Sequence, residues 1–125
     1  MEKAPLHASA SLGPGRIFTA RGRRVILDSD LAELYGVPTK RLNEQVRRNP
    51  HRFPADFAFL LSTPEWEAVR AEIAASSGRR APHRRFLPYA FTEHGALMAA
   101  GLLNTPRAIE VSIYIARASA IWVDG

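Results

Sequence analysis

Residues 31–48 have the sequence LAELYGVPTKRLNEQVRR, which predicts two helices joined by a tight turn. Ala32 is small enough for two helices to cross closely, and Gly36 tolerates the positive φ that ends the first helix. Val37 would plug the corner, and Leu42 would anchor the second helix to the core. This spacing is typical of a helix-turn-helix.

The second helix, placed from Thr39 to Arg48, departs from the usual pattern at one position. An apolar residue is expected nine positions after the turn glycine, where this chain has Gln45, followed by Val46. Many helical hairpins that do not bind DNA have the same spacing of small, glycine and apolar residues. The spacing alone therefore does not distinguish a DNA-binding helix-turn-helix from such a hairpin.

The outward face predicted for this helix is polar and basic. Helical spacing puts on one exposed side the residues Thr39, Lys40, Asn43 and Arg47. Asn can pair with adenine, and Arg with guanine, through two hydrogen bonds each. The residues assigned to phosphate contacts, which position a protein without specifying a sequence, are Arg41, Arg48 and Arg52. A basic helix face is also often only a solvated face, and that interpretation stays open.

The charge of the chain favours an anionic partner. The 125 residues hold 17 Lys or Arg against 12 Asp or Glu, a formal net charge of +5. Residues 39–52 contain five of these cations and a single acid, Glu44, so nearly the whole net charge lies in this stretch. Nucleic acid is the first candidate partner and an acidic membrane surface the second.

A second basic cluster lies in residues 74–85, which are predicted to form an exposed loop. Its cations are Arg79, Arg80, Arg84 and Arg85. Two interpretations stay open. The loop is either a wing-like arm that reaches a phosphate backbone or a minor groove, or a flexible loop that adds solubility.

The sequence argues against several other classes of protein. It has no cysteine, which excludes disulfides, thiolate metal sites and a cysteine nucleophile. The four histidines lack metal-ligand spacing, and no P-loop, Rossmann or G-x-S-x-G motif is present. We therefore expect no cofactor, no metal, no small-molecule substrate and no catalysis. Without an apolar run near the ~18 residues of a membrane span, and without a signal-peptide pattern, we expect a cytoplasmic protein.

The rest of the chain predicts a small single α+β domain. It would combine short strands and a hairpin with the helix-turn-helix-like pair and three further helices. Residues 1–15, rich in Ala, Ser, Pro and Gly, should form a loose tail, and residues 16–27 a hairpin that turns at Arg21-Gly22. Asp28 or Asp30 would cap the first helix. Strands are predicted within residues 57–61 and 85–91, the latter at a sheet edge because of Pro88. The further helices would begin at Thr63, Thr92 and Thr105, the first and last with a proline at the first helical position.

Three runs of sequence together resemble a known family. They are LDSDLAELYGVPTKRLNEQVRRNPHRFPADFAFLL (residues 27–61), LPYAFTEHGALMAAGLL (87–103) and PRAIEVSIYIAR (106–117). They resemble the KilA-N type DNA-binding domain, and more narrowly the branch named for the N-terminal domain of phage open reading frame six. The resemblance covers residues 17–121, and it implies a DNA-binding module of phages, prophages and their hosts. Such modules often precede variable C-terminal domains in antirepressor-like or regulatory proteins.

The resemblance supports a transfer of function only for the matched helix pair and for the adjoining Arg47-Arg48-Asn49. Because the chain ends soon after its last helix, we expect either a stand-alone module or one that lacks a C-terminal domain. A homodimer is a further alternative.

The sequence thus predicts that residues 16–125 form a KilA-N type domain that binds double-stranded DNA sequence-specifically. The helix over residues 39–48 would enter the major groove. One rival is an antirepressor-like module that binds a repressor through an apolar patch around Ile113, Ile121 and Trp122. A second is a nuclease, which would need clustered carboxylates. The acids of residues 28–33 are better explained as helix-start charges.

Overall fold

The computed structural model describes residues 16–77 and 84–118 of the chain. Within them a four-stranded antiparallel sheet is combined with five α-helices, so the predicted α+β class is confirmed. The strands are β1 (Ile17–Ala20), β2 (Arg23–Leu27), β3 (Ala58–Leu60) and β4 (Tyr89–Phe91). The helices are α1 (Asp28–Tyr35), α2 (Thr39–Arg48), α3 (Thr63–Ser77), α4 (Glu93–Leu103) and α5 (Pro106–Arg117), with a 3-10 turn at Pro50–Arg52. The predicted tail, Arg79, Arg80, Ile121 and Trp122 lie outside the described residues.

The predicted hairpin of β1 and β2 is confirmed. The strands pair antiparallel, with Phe18 opposite Val25, around a two-residue turn. Arg21 and Gly22 have φ values of 54° and 74°. Positive φ at both central positions is what a type I′ turn requires, and this turn matches the natural twist of a hairpin.

The sheet is buried on both faces because its strands alternate apolar side chains to either side. On one face, Val25 and Leu27 pack with Trp66, Val69 and Ile73 of α3. On the other face, Ile26 and Phe91 belong to a larger cluster built by α1, α2, α4 and α5. The helix pair is thereby fixed to the sheet face opposite α3.

The predicted position of the last strand at a sheet edge is wrong. The strand order is β1-β2-β4-β3, so β4 is central and pairs with both β2 and β3. Pro88 precedes the strand and is buried, and its carbonyl oxygen accepts a hydrogen bond from the Leu61 amide at 3.0 Å. Since only its carbonyl is used, the missing N–H of proline costs the sheet no hydrogen bond.

Two predicted helix caps are corrected. The residue before α1 is Leu27, with no side-chain cap, and Asp28 is the first helical residue. For α3, the cap is Ser62 rather than Thr63. The Ser62 hydroxyl accepts from the Glu65 amide at 3.3 Å, and the Glu65 carboxylate accepts from the Ser62 amide at 2.8 Å. This reciprocal pair is a capping box. Because α3 continues to Ser77, the predicted loop over residues 74–85 begins later than expected.

The start of α4 fits closely against the segment that leads into β3. Thr92 caps the helix as predicted, accepting from the Gly95 amide, and its hydroxyl donates to the carbonyl oxygen of Asp56 at 2.8 Å. A Cβ built on Gly95 would overlap the carbonyl oxygen of Phe57. Glycine is therefore required here by contact with neighbouring backbone.

The last helix, α5, is amphipathic, with one apolar face in the core and further isoleucines exposed. Its cap Thr105 is confirmed, accepting from the Ala108 amide. Val111 and Ile115 face the core, whereas Ile109 and Ile113 are exposed. This exposed pair lies on the helix that the protein-interaction rival invokes.

Candidate nucleic-acid interface

The corner between α1 and α2 has the predicted geometry. Gly36 ends α1 in the left-handed region with φ of 72°, and the Val37 amide donates to the carbonyl oxygen of Ala32 at 3.0 Å. Arg107 at the start of α5 donates from Nε to the carbonyl oxygen of Leu34 at 2.8 Å, which satisfies another free acceptor at this helix end. The α1–α2 angle is therefore fixed by backbone contacts and by α5.

Helix α2 has the predicted bounds, and its inner face is apolar. Leu42 is fully buried and Val46 nearly so. The helix-turn-helix pattern expects an apolar residue at position 45, where this chain has Gln45. Val46, one residue later, packs into the core instead.

The outer side of α2 carries cations that are not paired with any acid of the described residues. Exposed side chains on α2 and the 3-10 turn include Lys40, Arg41, Arg47, Arg48 and Arg52. Within the described part of the chain, no carboxylate lies within 4 Å of any of these five. By contrast, Arg16 pairs with Asp30, Arg21 with Glu65 and Arg70 with Glu67. The surface around α2 is therefore strongly positive.

The four residues predicted to face outward together line a groove of about 990 Å³. One wall is formed by α2 through Thr39, Lys40, Asn43 and Arg47. The other wall is formed by the segment before β4, which we call the arm (residues 84–87), together with Leu60 and Tyr89. The structure thus brings residues from both predicted basic clusters to a single groove.

A buried carboxylate joins the two walls. Asp28 has no exposed surface, and it accepts hydrogen bonds from Asn43 Nδ2 at 2.8 Å and from the Tyr89 amide at 3.1 Å. Arg84 donates to both of its oxygens, from Nη1 at 3.0 Å and Nη2 at 3.3 Å, and Ser29 donates its amide at 2.7 Å. Asp28 therefore ties α1, α2, the arm and β4 to one point. In the sequence it resembles an ordinary helix-start acid.

The exposure predicted for Asn43 is wrong, because Asp28 holds its side chain inward. Asn43 is half-buried, its amide nitrogen is used by Asp28, and its Oδ1 is buried without a partner among the described residues. Pairing with adenine needs both atoms of the amide at the surface. As placed, Asn43 positions α2 against the arm.

Arg84 and Asn49 also have partners within the protein. The Arg84 side chain is 18% exposed, pairs with Asp28, and lies with its guanidinium carbon 5.9 Å from the centre of the Trp66 ring. It anchors the arm. Asn49 donates from Nδ2 to the carbonyl oxygen of Gln45 at 2.9 Å, closing the end of α2.

The tip of the arm faces solvent. Arg85 is exposed, and Phe86 is 73% exposed. The guanidinium carbon of Arg85 lies 5.4 Å from the centre of the Phe86 ring. Sequence reasoning assigned Phe86 to a strand, and nothing in the local pattern marks it as a surface residue.

Among residues 16–77 and 84–118, no group of three His, Asp or Glu side chains is placed to hold a metal ion. In the same part of the chain, no helix has the length and apolar character of a membrane span.

The fold and the groove together define a small α+β domain built around a helix-turn-helix-like pair with a basic outer face. Residues 15–102 match the family model described as the ORF6N domain, and the chain belongs to this phage-type family. The match covers the sheet and α1 to nearly the end of α4. It confirms the narrower of the two resemblances, whereas the broader KilA-N relationship remains a prediction from the motifs. Neither a curated protein nor a solved structure matches the chain significantly.

Proposed function

We propose that this ORF6N domain binds double-stranded DNA sequence-specifically through α2, without a cofactor and without cleaving it. The observation that carries the proposal is the set of five exposed cations around α2 that form no ion pair with a carboxylate of residues 16–77 and 84–118. Like charges this close together repel one another, and an anionic partner would relieve that repulsion.

The dimensions of α2 support this proposal. Ten residues give a helix about 15 Å long, and the major groove is about 12 Å wide, so α2 can enter it with its first turns. Lys40 and Arg47 line the groove wall, make no ion pair with the described residues, and would reach base edges. The cations assigned to phosphates are Arg41, Arg48, Arg52 and Arg85. Asn43 and Arg84 would hold the groove in shape rather than contact DNA, because their side chains donate hydrogen bonds to Asp28.

Selection of bound sites from random duplex DNA, followed by variants, tests sequence readout. We expect Arg47→Ala to broaden the selected sequences at one position and to weaken binding by about 1–3 kcal/mol. Arg70→Ala is the matched control, since it removes an arginine on α3, at the opposite face of the sheet. If Arg47→Ala and Arg70→Ala recover the same sequences as the unchanged protein, α2 does not read bases through Arg47.

A second candidate function is binding to a repressor protein. The observation that favours it is the exposed pair Ile109 and Ile113, four residues apart on α5. This candidate predicts no affinity for duplex DNA, so the same selection distinguishes it: recovery of no bound DNA at physiological salt would favour it over the first.

A further inference from the structure

The arm exposes the aromatic ring of Phe86, although the residues on either side of it are held in place. Single exposed apolar residues are common on protein surfaces and need no explanation by themselves. Phe86 differs because the residues on both sides of it are fixed. On one side, Arg84 makes two hydrogen bonds to Asp28, and on the other the Tyr89 amide donates to the same carboxylate.

The residues between these two anchors are also held. Leu87 is half-buried and packs against the α3 side of the core. Pro88 is buried, and its carbonyl oxygen accepts from Leu61. Only Arg85 and Phe86 are therefore left to face outward, and their backbone has little freedom to lose when a ligand binds. Such preorganisation lowers the entropic cost of binding.

The position of the arm relative to α2 is fixed by the same carboxylate. Asn43 on α2 and Arg84 on the arm share Asp28, so the two walls of the groove move together. The walls carry Lys40 and Arg47 on one side and Arg85 on the other. This arrangement fits one strand of a duplex lying along the groove, with Lys40 and Arg47 toward its base edges and Arg85 toward its phosphates. With α2 in the major groove, the far side of that strand is the minor groove, which the tip of the arm would face.

We propose that Phe86 is a wedge that enters the minor groove and partly unstacks a base step, with Arg85 on the adjacent phosphates. This inference rests on the proposed DNA binding and adds that the bound DNA is bent. Apolar side chains inserted in this way kink a duplex by about 20–90°. Among apolar residues, leucine also acts as such a wedge, whereas alanine is too short.

The test uses the tightest duplex recovered by the selection, labelled at its two ends for energy transfer. We expect the unchanged protein to bring the ends closer on binding. Phe86→Ala should lose most of this change and bind about tenfold more weakly, whereas Phe86→Leu should keep much of the bend. Ile113→Ala removes another exposed apolar side chain, on α5 and outside the groove, and should bend the DNA fully.

The outcomes separate the two proposals. Binding without a bend, or an equal bend with Phe86→Ala, would overturn the wedge and leave DNA binding standing. If no duplex is bound, both proposals fail, and Phe86 becomes a candidate contact for a protein partner. Since Phe86 is largely solvent-exposed, its variants should fold, and an unchanged thermal melting temperature checks this.

Discussion

The guanidinium of Arg84 donates two hydrogen bonds to the carboxylate of Asp28, from Nη1 to Oδ1 at 3.0 Å and from Nη2 to Oδ2 at 3.3 Å. The two residues lie 56 positions apart in the chain. Asp28 lies where β2 passes into α1, and Arg84 opens the arm beside the groove. The pair therefore sets the distance between the two walls of the candidate interface.

Asp28→Asn should destabilise the protein strongly. Five donated hydrogen bonds converge on the two oxygens of Asp28, and an amide would turn an N–H₂ group toward some of those donors while leaving Arg84 without its counter-charge. Breaking a buried ion pair costs about 3–5 kcal/mol.

Urea denaturation measures this free energy of unfolding. The matched control is Glu67→Gln, which removes the exposed carboxylate paired with Arg70 and should change the free energy of unfolding by less than about 0.5 kcal/mol. An Asp28→Asn protein as stable as the control would show that Asp28 does not hold the fold together.

Two glycines of α4 should respond to alanine in opposite directions. Beyond its own helix, no atom of the described residues lies within 4 Å of a Cβ built on Gly101, so Gly101→Ala should stabilise the helix by up to about 1 kcal/mol. Gly95→Ala gains the same helix propensity but drives a methyl group into the Phe57 carbonyl, and should lower stability by several kcal/mol or prevent folding. Thermal denaturation of the two variants compares them directly, and a Gly95→Ala protein that melts above the unchanged one would refute the close packing of α4.

The contact between the hairpin turn and α3 should make stability depend on acid pH. Hydrogen bonds from the Arg21 guanidinium, with help from the Ser62 amide, lower the pKa of Glu65 from 4.5 to about 2. A carboxylate whose pKa is lower in the folded state stabilises the protein above the unfolded pKa and loses this contribution as protons bind in the folded state. The Glu65 contribution should thus be complete above about pH 4.5 and disappear between pH 4.5 and about 2.

Glu65→Gln isolates the charge, because glutamine can still form the capping box with Ser62. The difference in unfolding free energy between the unchanged protein and this variant should shrink as the pH falls from about 4.5 toward 2. A difference that stays constant over that range would mean that Arg21 does not lower the pKa of Glu65.

Local signals predicted much of the fold, since the residues that form turns and caps act on their immediate neighbours. Gly36 ends a helix and Thr92 begins one as the sequence indicated. The groove was not predictable in the same way. Its central contact joins Asp28 to a residue 56 positions away, and no periodicity encodes such a pairing.

The same limit explains the error about Asn43 in the predicted site. Asn43 has the right spacing for a surface residue, and only the carboxylate of Asp28 turns it inward. On α5, Val111 and Ile113 are both apolar, so composition cannot say which of them faces the core; packing on α4 decides it. The basic face of α2 was predictable because charge and helical spacing suffice to define it.

The salt dependence of duplex affinity tests the central claim most directly, namely that the cations around α2 hold DNA phosphates. Fluorescence anisotropy with a labelled duplex over a series of salt concentrations should give a log–log slope of about −3.6, as expected for about four phosphates neutralised by Arg41, Arg48 and Arg52 around α2 and by Arg85 on the arm. Replacing Arg41 and Arg48 together by Ala should reduce the slope to about −1.8, and Arg70→Ala should leave it unchanged. A flat dependence, or a slope that the Arg41/Arg48 double variant does not alter, would contradict the account.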